Sequence, residues 1–154
     1  MAGLQESASI VTTAAPEAIF RLVTDPSRLP SWNRAITSVV DAPRQLAIGS
    51  EWKVQMHALG QSWVSRSRVL TLDAPSGRFA YRSQSDDGNP SYADWEWRVD
   101  GGDGTSGVRV TVDLNPTTFW RKHVLVKLRR RSLRREMVES LRALDAAAAH
   151  PPSP

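Results

Sequence analysis

Through most of the middle of the chain, apolar and polar residues alternate with the two-residue period of strands that bury one face. In Tyr92–Val99, Trp95, Trp97 and Val99 share one face while Asp94, Glu96 and Arg98 share the other. In Val108–Leu114 the apolar set is Val108, Val110, Val112 and Leu114, against Arg109, Thr111 and Asp113. Ser50–His57 sets Trp52, Val54 and Met56 against Glu51, Lys53, Gln55 and His57, and Arg78–Gln84 sets Phe79, Tyr81 and Ser83 against Ala80, Arg82 and Gln84. Gln61–Leu72 admits two phases. The phase with Trp63, Ser65, Ser67 and Val69 inside is preferred, because the other buries Arg66 and Arg68. Ile36–Asp41 is a sixth strand. Short turns such as Asp73–Gly77, Asp86–Pro90 and Gly101–Gly104 join these runs, so the strands form an antiparallel meander.

The period changes at both ends. A short β-prone run, Ser9–Thr13, stops before Pro16, and Ile19, Phe20, Leu22 and Val23 then recur at helical spacing. Pro16 suits a first helical turn, where its missing N–H has no partner to lose. Asp25-Pro26 closes the helix, because a residue before proline is pushed out of the α region. From about Thr117 to Ala149 there is no glycine or proline, and Phe119, Val126, Leu133, Met137, Leu141 and Leu144 form an apolar stripe. Asn115 or Thr117 can cap this helix, Pro116 fits its first turn, and Pro151 marks its stop. The order strand, helix, six strands, long helix predicts an α+β fold. Its antiparallel sheet of six to seven strands wraps around the long helix, which covers the apolar face. Residues 1–149 are read as a single domain and 150–154 as a disordered tail.

Composition narrows the function. With 154 residues, 40% of them hydrophobic, the chain is long enough for a self-sufficient core. No apolar run approaches the roughly 18 residues of a membrane span. Met1–Glu6 lacks the basic start and apolar block of a secretory signal, so cytoplasmic residence is expected. Without cysteine there is no disulfide, thiolate metal site or cysteine nucleophile. The net charge of +4 is unevenly spread, since Arg121, Lys122, Lys127, Arg129, Arg130, Arg131, Arg134 and Arg135 sit together with no acid among them. Taking those eight from the 20 basic residues leaves 12 against 16 acidic ones, a net of −4. That distribution argues against nucleic acid as a partner. A basic helix back is either a solvated surface or a weak contact for anionic membranes through Arg121–Arg135.

Metal and nucleotide chemistry find little support. His57, His123 and His150 are too far apart in sequence to share a metal by local spacing, so no metal is expected. Asp86-Asp87-Gly88-Asn89 lacks the length and closing glutamate of a calcium loop, and a hairpin turn explains it. Gly101–Gly104 leads into a strand rather than a helix, so it is no phosphate cradle. No cofactor is expected. The inner sheet face gathers Trp52, Trp63, Tyr81, Trp95 and Trp97 with Ser65, Ser67 and Ser83, which suits either a pocket with polar anchors or a solid aromatic core.

Several segments together carry a family resemblance. They are Ala15-Pro16-Glu17-Ala18-Ile19-Phe20, Asp25-Pro26, Trp32, the strand meander, the closing helix, Tyr81-Arg82-Ser83 and Asn89–Trp95. The chain resembles the polyketide cyclase/dehydrase branch of the START-like (SRPBCC) superfamily, whose fold is the helix-grip. Members include lipid carriers, hormone receptors, aromatase/cyclases and co-chaperones, which share a cavity between sheet and long helix. The resemblance therefore implies the pocket. Its walls would be Trp32, Trp52, Trp63, Tyr81, Trp95, Trp97 and Phe119, and its polar anchors Asn33, Ser65, Ser67 and Ser83. Arg130 either reaches the cavity or lays its stem on the surface with its head in water. The expected function is binding of a small hydrophobic ligand, aromatic or acyl, by a monomer or homodimer. The alternatives are an aromatase/cyclase-type enzyme acting on a polyketide-like substrate, for which no catalytic residue is assigned, and a regulatory or membrane-surface module using the basic helix.

Overall fold

The computed structural model describes residues 4–58, 60–88, 90–102, 104–115 and 126–149, with backbone alone for 4 and 126–130. Its elements are β1 (Leu4–Thr12), α1 (Pro16–Val23), a single 3₁₀ turn (Pro26–Arg28), α2 (Leu29–Trp32), β2 (Ile36–Asp41), β3 (Glu51–Ala58), β4 (Gln61–Asp73), β5 (Arg78–Ser85), β6 (Tyr92–Gly101), β7 (Ser106–Asn115) and α3 (Val126–Ala149). The strands form one seven-stranded antiparallel sheet in the order β1-β7-β6-β5-β4-β3-β2. Helix α3 packs against β1, β7, α1 and α2. This is the helix-grip arrangement, α+β as its residue pattern implies.

Three departures from the sequence pattern have physical causes. Strand β1 begins at Leu4 rather than Ser9, because β7 pairs with it along its whole length, from Leu4 opposite Leu114 to Thr12 opposite Ser106. A ready partner strand overrides the weak propensity of the polar Gln5–Ser7 segment. After α1, Asp25-Pro26 stops one helix and starts another turn. Asp25 Oδ1 accepts hydrogen bonds from the Ser27 amide at 3.1 Å and hydroxyl at 2.7 Å, and so caps the 3₁₀ turn that leads into α2. Asn115 ends β7, with its Nδ2 donating to the Asp113 carbonyl at 3.1 Å. The alternative cap Thr117, the expected first-turn residue Pro116, the start of the long helix, and His150–Pro154 lie outside the described residues.

The core lies between the sheet and the helices. Ile19, Leu22 and Val23 of α1 are buried, as are Val108, Val110 and Val112 of β7 and Leu133, Met137, Leu141 and Leu144 of α3. Full burial of such a side chain is worth about 1.5–3 kcal/mol. Two glycines permit close approaches at this end of the fold. Gly77 has φ +68°, and a Cβ there would collide with the Val99 carbonyl; a Cβ at Gly101 would collide with the Pro16 ring. The first turn of α1 is thus seated directly on the end of β6.

Candidate ligand cavity

Register across the sheet decides where the interior is full and where it is hollow. One cross-strand row runs Phe79, Trp97, Val110, with all three side chains buried. Another runs Trp52, Ser67, Ser83, Ala93, Leu114, and beside it Ser65 pairs with Val54 and Ser85. Small side chains on three adjacent central strands, all facing α3, leave space that bulky ones would fill. A cavity of about 450 Å³ opens there, within the usual size range of small-molecule sites.

Aromatic rings form much of its wall. Trp52 meets Tyr81 edge to face, with ring centroids 4.9 Å apart. Tyr81 lies nearly parallel to Trp95, at 6.2 Å and 16°. Trp63 and Trp97 also border the cavity. The hydroxyls on the floor are anchored to the sheet. Trp95 Nε1 donates to Ser83 Oγ at 3.1 Å, Ser83 Oγ donates to the Ala93 carbonyl at 3.5 Å, and Ser65 Oγ donates to the Gln84 carbonyl at 3.4 Å. Burial pushes the Tyr81 phenol up to about 12, against a smaller opposing effect of a hydrogen bond from Trp97. Tyr81 therefore keeps its proton at neutral pH and presents a neutral hydroxyl.

Helix α3 closes the opposite side with Leu133, Glu136, Met137 and Ser140. Ser132 donates to Glu136 Oε1 at 2.8 Å, and Ser140 Oγ accepts the Arg34 amide at 3.0 Å, which ties the α2–β2 loop to α3. Asn33 borders the cavity from that loop, its Oδ1 accepting the Ala35 amide at 3.1 Å.

The sequence-derived set is thus largely assembled around one space: Asn33, Trp52, Trp63, Ser65, Ser67, Tyr81, Ser83, Trp95 and Trp97 all border it. Trp32 does not. It is 1% exposed and lies in the packed layer, edge to face with Trp97 at 5.2 Å and 86°. The reason is local: Trp32 ends α2 rather than sitting in a mouth loop, and the helical turn directs its ring into the core. Among the described residues its Nε1 has no hydrogen-bond partner. Phe119 and the side chain of Arg130 lie outside the described residues.

Sequence reasoning overlooked Glu136 and Ser140. With Leu133 and Met137 they occupy the i, i+3, i+4, i+7 positions of one helix face, so a carboxylate inside an apolar stripe was the available signal. In the basic run, Arg131, Arg134 and Arg135 are exposed. Among the described residues no group of three or more His, Cys, Asp or Glu side chains is placed to hold a metal ion, and no helix is long and apolar enough to cross a membrane.

A curved antiparallel sheet gripping a long C-terminal helix over an aromatic-walled cavity defines the START-like class of fold. The chain belongs to the family described as polyketide cyclase / dehydrase and lipid transport, whose family model matches residues 4–149. Its fold is similar to that of a Thermus thermophilus protein (20% identity, TM-score 0.75, covering 97% of this chain and 100% of that one). It is also similar to the ZhuI aromatase/cyclase from a Streptomyces species (15% identity, TM-score 0.75, 95% and 93%). A START superfamily protein from Mycobacterium smegmatis is a third neighbour (18% identity, TM-score 0.70, 94% and 97%). At these identities the likeness is one of fold. No curated protein sequence matches the chain.

Proposed function

We propose that the protein binds one small hydrophobic molecule, aromatic or acyl, in the cavity between β3–β6 and α3. The observation that carries this reading is the lane of small side chains Ser65, Ser67, Ser83 and Ala93, which holds open about 450 Å³ beside Trp52, Tyr81 and Trp95. A chain selected only for stability would fill such a lane, since an unfilled apolar space costs about 24 cal/mol per Å³. The rings supply apolar contact, and the anchored hydroxyls, with the neutral Tyr81 O–H, supply orientation. Residues 1–149 act as one domain in this reading, in the cytoplasm, as a monomer or homodimer. Mass spectrometry of the purified protein under native conditions should reveal a bound apolar molecule, and added apolar ligand should quench tryptophan fluorescence saturably at one site. Strictly linear quenching would refute the proposal.

A second reading is favoured by one observation. Glu136 brings a carboxylate, and Tyr81 a neutral hydroxyl, to the same space. A base and a hydrogen-bond donor are the groups that proton abstraction beside a carbonyl requires, as in an aromatase/cyclase-type reaction on a polyketide-like chain. That fold neighbours include an aromatase/cyclase agrees with this reading by analogy alone. Turnover of a poly-β-ketone thioester that disappears in Glu136→Gln while binding persists would favour it. Unchanged turnover in that variant would exclude Glu136 as the base.

A further inference from the structure

The three serines on the cavity floor are not equivalent. Ser83 accepts from Trp95 Nε1 and donates to the Ala93 carbonyl, and Ser65 donates to the Gln84 carbonyl. Their protons are held by the sheet. Ser67 stands opposite Ser83 and two residues from Ser65, and it borders the cavity. It is 3% exposed, and its hydroxyl bonds to no described group. A buried hydroxyl left without a bond is destabilising, and an alanine would line the floor as well. The Ser67 hydroxyl is therefore placed for a group that arrives in the cavity.

Its neighbours decide what kind of group that is. Tyr81 is two residues from Ser83 on β5, which makes it the diagonal neighbour of Ser67 on the same inward face. The Trp97 indole N–H donates to the Tyr81 oxygen, while the phenol's own proton goes to no described group. That incoming bond polarises the phenol and strengthens it as a donor. Ser67 and Tyr81 thus both bring a proton to the cavity. A carbonyl oxygen, with two lone pairs and no proton, matches two donors. A charged oxygen would instead give up its hydration among aromatic rings. We infer that Ser67 selects the ligand's chemistry: the cavity takes an uncharged aromatic ketone whose carbonyl oxygen accepts from the Ser67 hydroxyl, with Tyr81 as a second donor. This rests on the cavity being a ligand site, and the test separates the two claims.

1-Tetralone and tetralin share a bicyclic frame and differ by one carbonyl. Each would be titrated calorimetrically against the wild-type protein and Ser67→Ala, and the infrared stretch of carbonyl-labelled 1-tetralone would be recorded in both. The wild type should bind 1-tetralone at least about five-fold more tightly than tetralin. In Ser67→Ala the ratio should shrink to within about two-fold while tetralin affinity is kept, because alanine removes the donor and leaves the space. The bound carbonyl should absorb below its frequency in hexane in the wild type and move back towards that value in the variant. A merely structural serine would shift neither the ratio nor the stretch. Equal binding of the two ligands by the wild type overturns the inference. So do an unchanged ratio and stretch in a Ser67→Ala protein with wild-type circular dichroism. Should that variant fail to fold, a wild-type carbonyl stretch like that in hexane still overturns it. If tetralin binds and the carbonyl adds nothing, only the role of Ser67 falls. If neither ligand binds, the ligand-site reading falls with it.

Discussion

Two halves of the same sheet, covered by the same helix, differ in what their central strands point inward. Towards α1, the row Phe79, Trp97, Val110 is buried and Trp32 packs against Trp97, which marks the edge of the cavity. Towards the opposite end, the row Ser67, Ser83, Ala93 is hollow. Backbone geometry is shared, so the contrast comes from side-chain volume placed by register. Packing in one half supplies the stability that allows the other half to stay open.

The largest effect should come from the packed half. Trp97→Ala removes the ring that meets Trp32 and should cost about 3–5 kcal/mol in denaturant unfolding, with the slope unchanged. The corresponding change in the hollow half should do less to the fold and much to binding. Ser83→Leu adds bulk where space exists but takes the acceptor from the Trp95 N–H, so unfolding should move by about 1–2 kcal/mol, less than for Trp97→Ala, while affinity for naphthalene falls at least about ten-fold. A loss of stability like that of Trp97→Ala would erase the contrast.

Tyr81 sits at the boundary, and its titration tests which half it belongs to. Its folded value, about 12, is raised above the ordinary 10, so the protonated phenol favours the folded state. That contribution is complete below pH 10 and is lost as pH rises towards 12. Wild-type stability should therefore fall across that window by up to about 2 kcal/mol more than that of Tyr81→Phe. Parallel curves would mean that the phenol is as wet as in the unfolded chain.

The smallest effect lies on the outer sheet face, which neither half uses. Arg98 and then Arg78 hydrogen-bond Glu96 and hold its carboxyl below the usual carboxylate range. Its contribution is present above the unfolded value and is lost as pH falls through the lower folded one. These side chains are partly open to solvent, which screens the pair, so Glu96→Gln should change unfolding at neutral pH by less than about 1 kcal/mol.

Legibility in the sequence followed the same division. Alternation identified the inward residues of every strand from β3 to β7, because a one-residue slip would have buried Arg66 or Arg98. The space itself was harder to foresee. That Ser65, Ser67 and Ser83 become neighbours depends on strand pairing, which no single strand records. Trp32 was misplaced because Asp25-Pro26 was read only as the end of a helix, while in the fold Pro26, and Pro30 after it, sit in the first turns of short helical segments that turn the ring inward. Glu136 was passed over because the apolar stripe of α3 was read for its hydrophobic members alone.

The account turns on whether the serine lane holds a ligand, and one paired titration tests it most directly. Wild-type protein and Ser67→Leu, each confirmed folded by circular dichroism, would be titrated with naphthalene while tryptophan emission is followed. The account predicts saturable one-site quenching in the wild type and only weak, linear quenching in the variant, because leucine at position 67 occupies the floor of the cavity. Superimposable curves from the two proteins would contradict it.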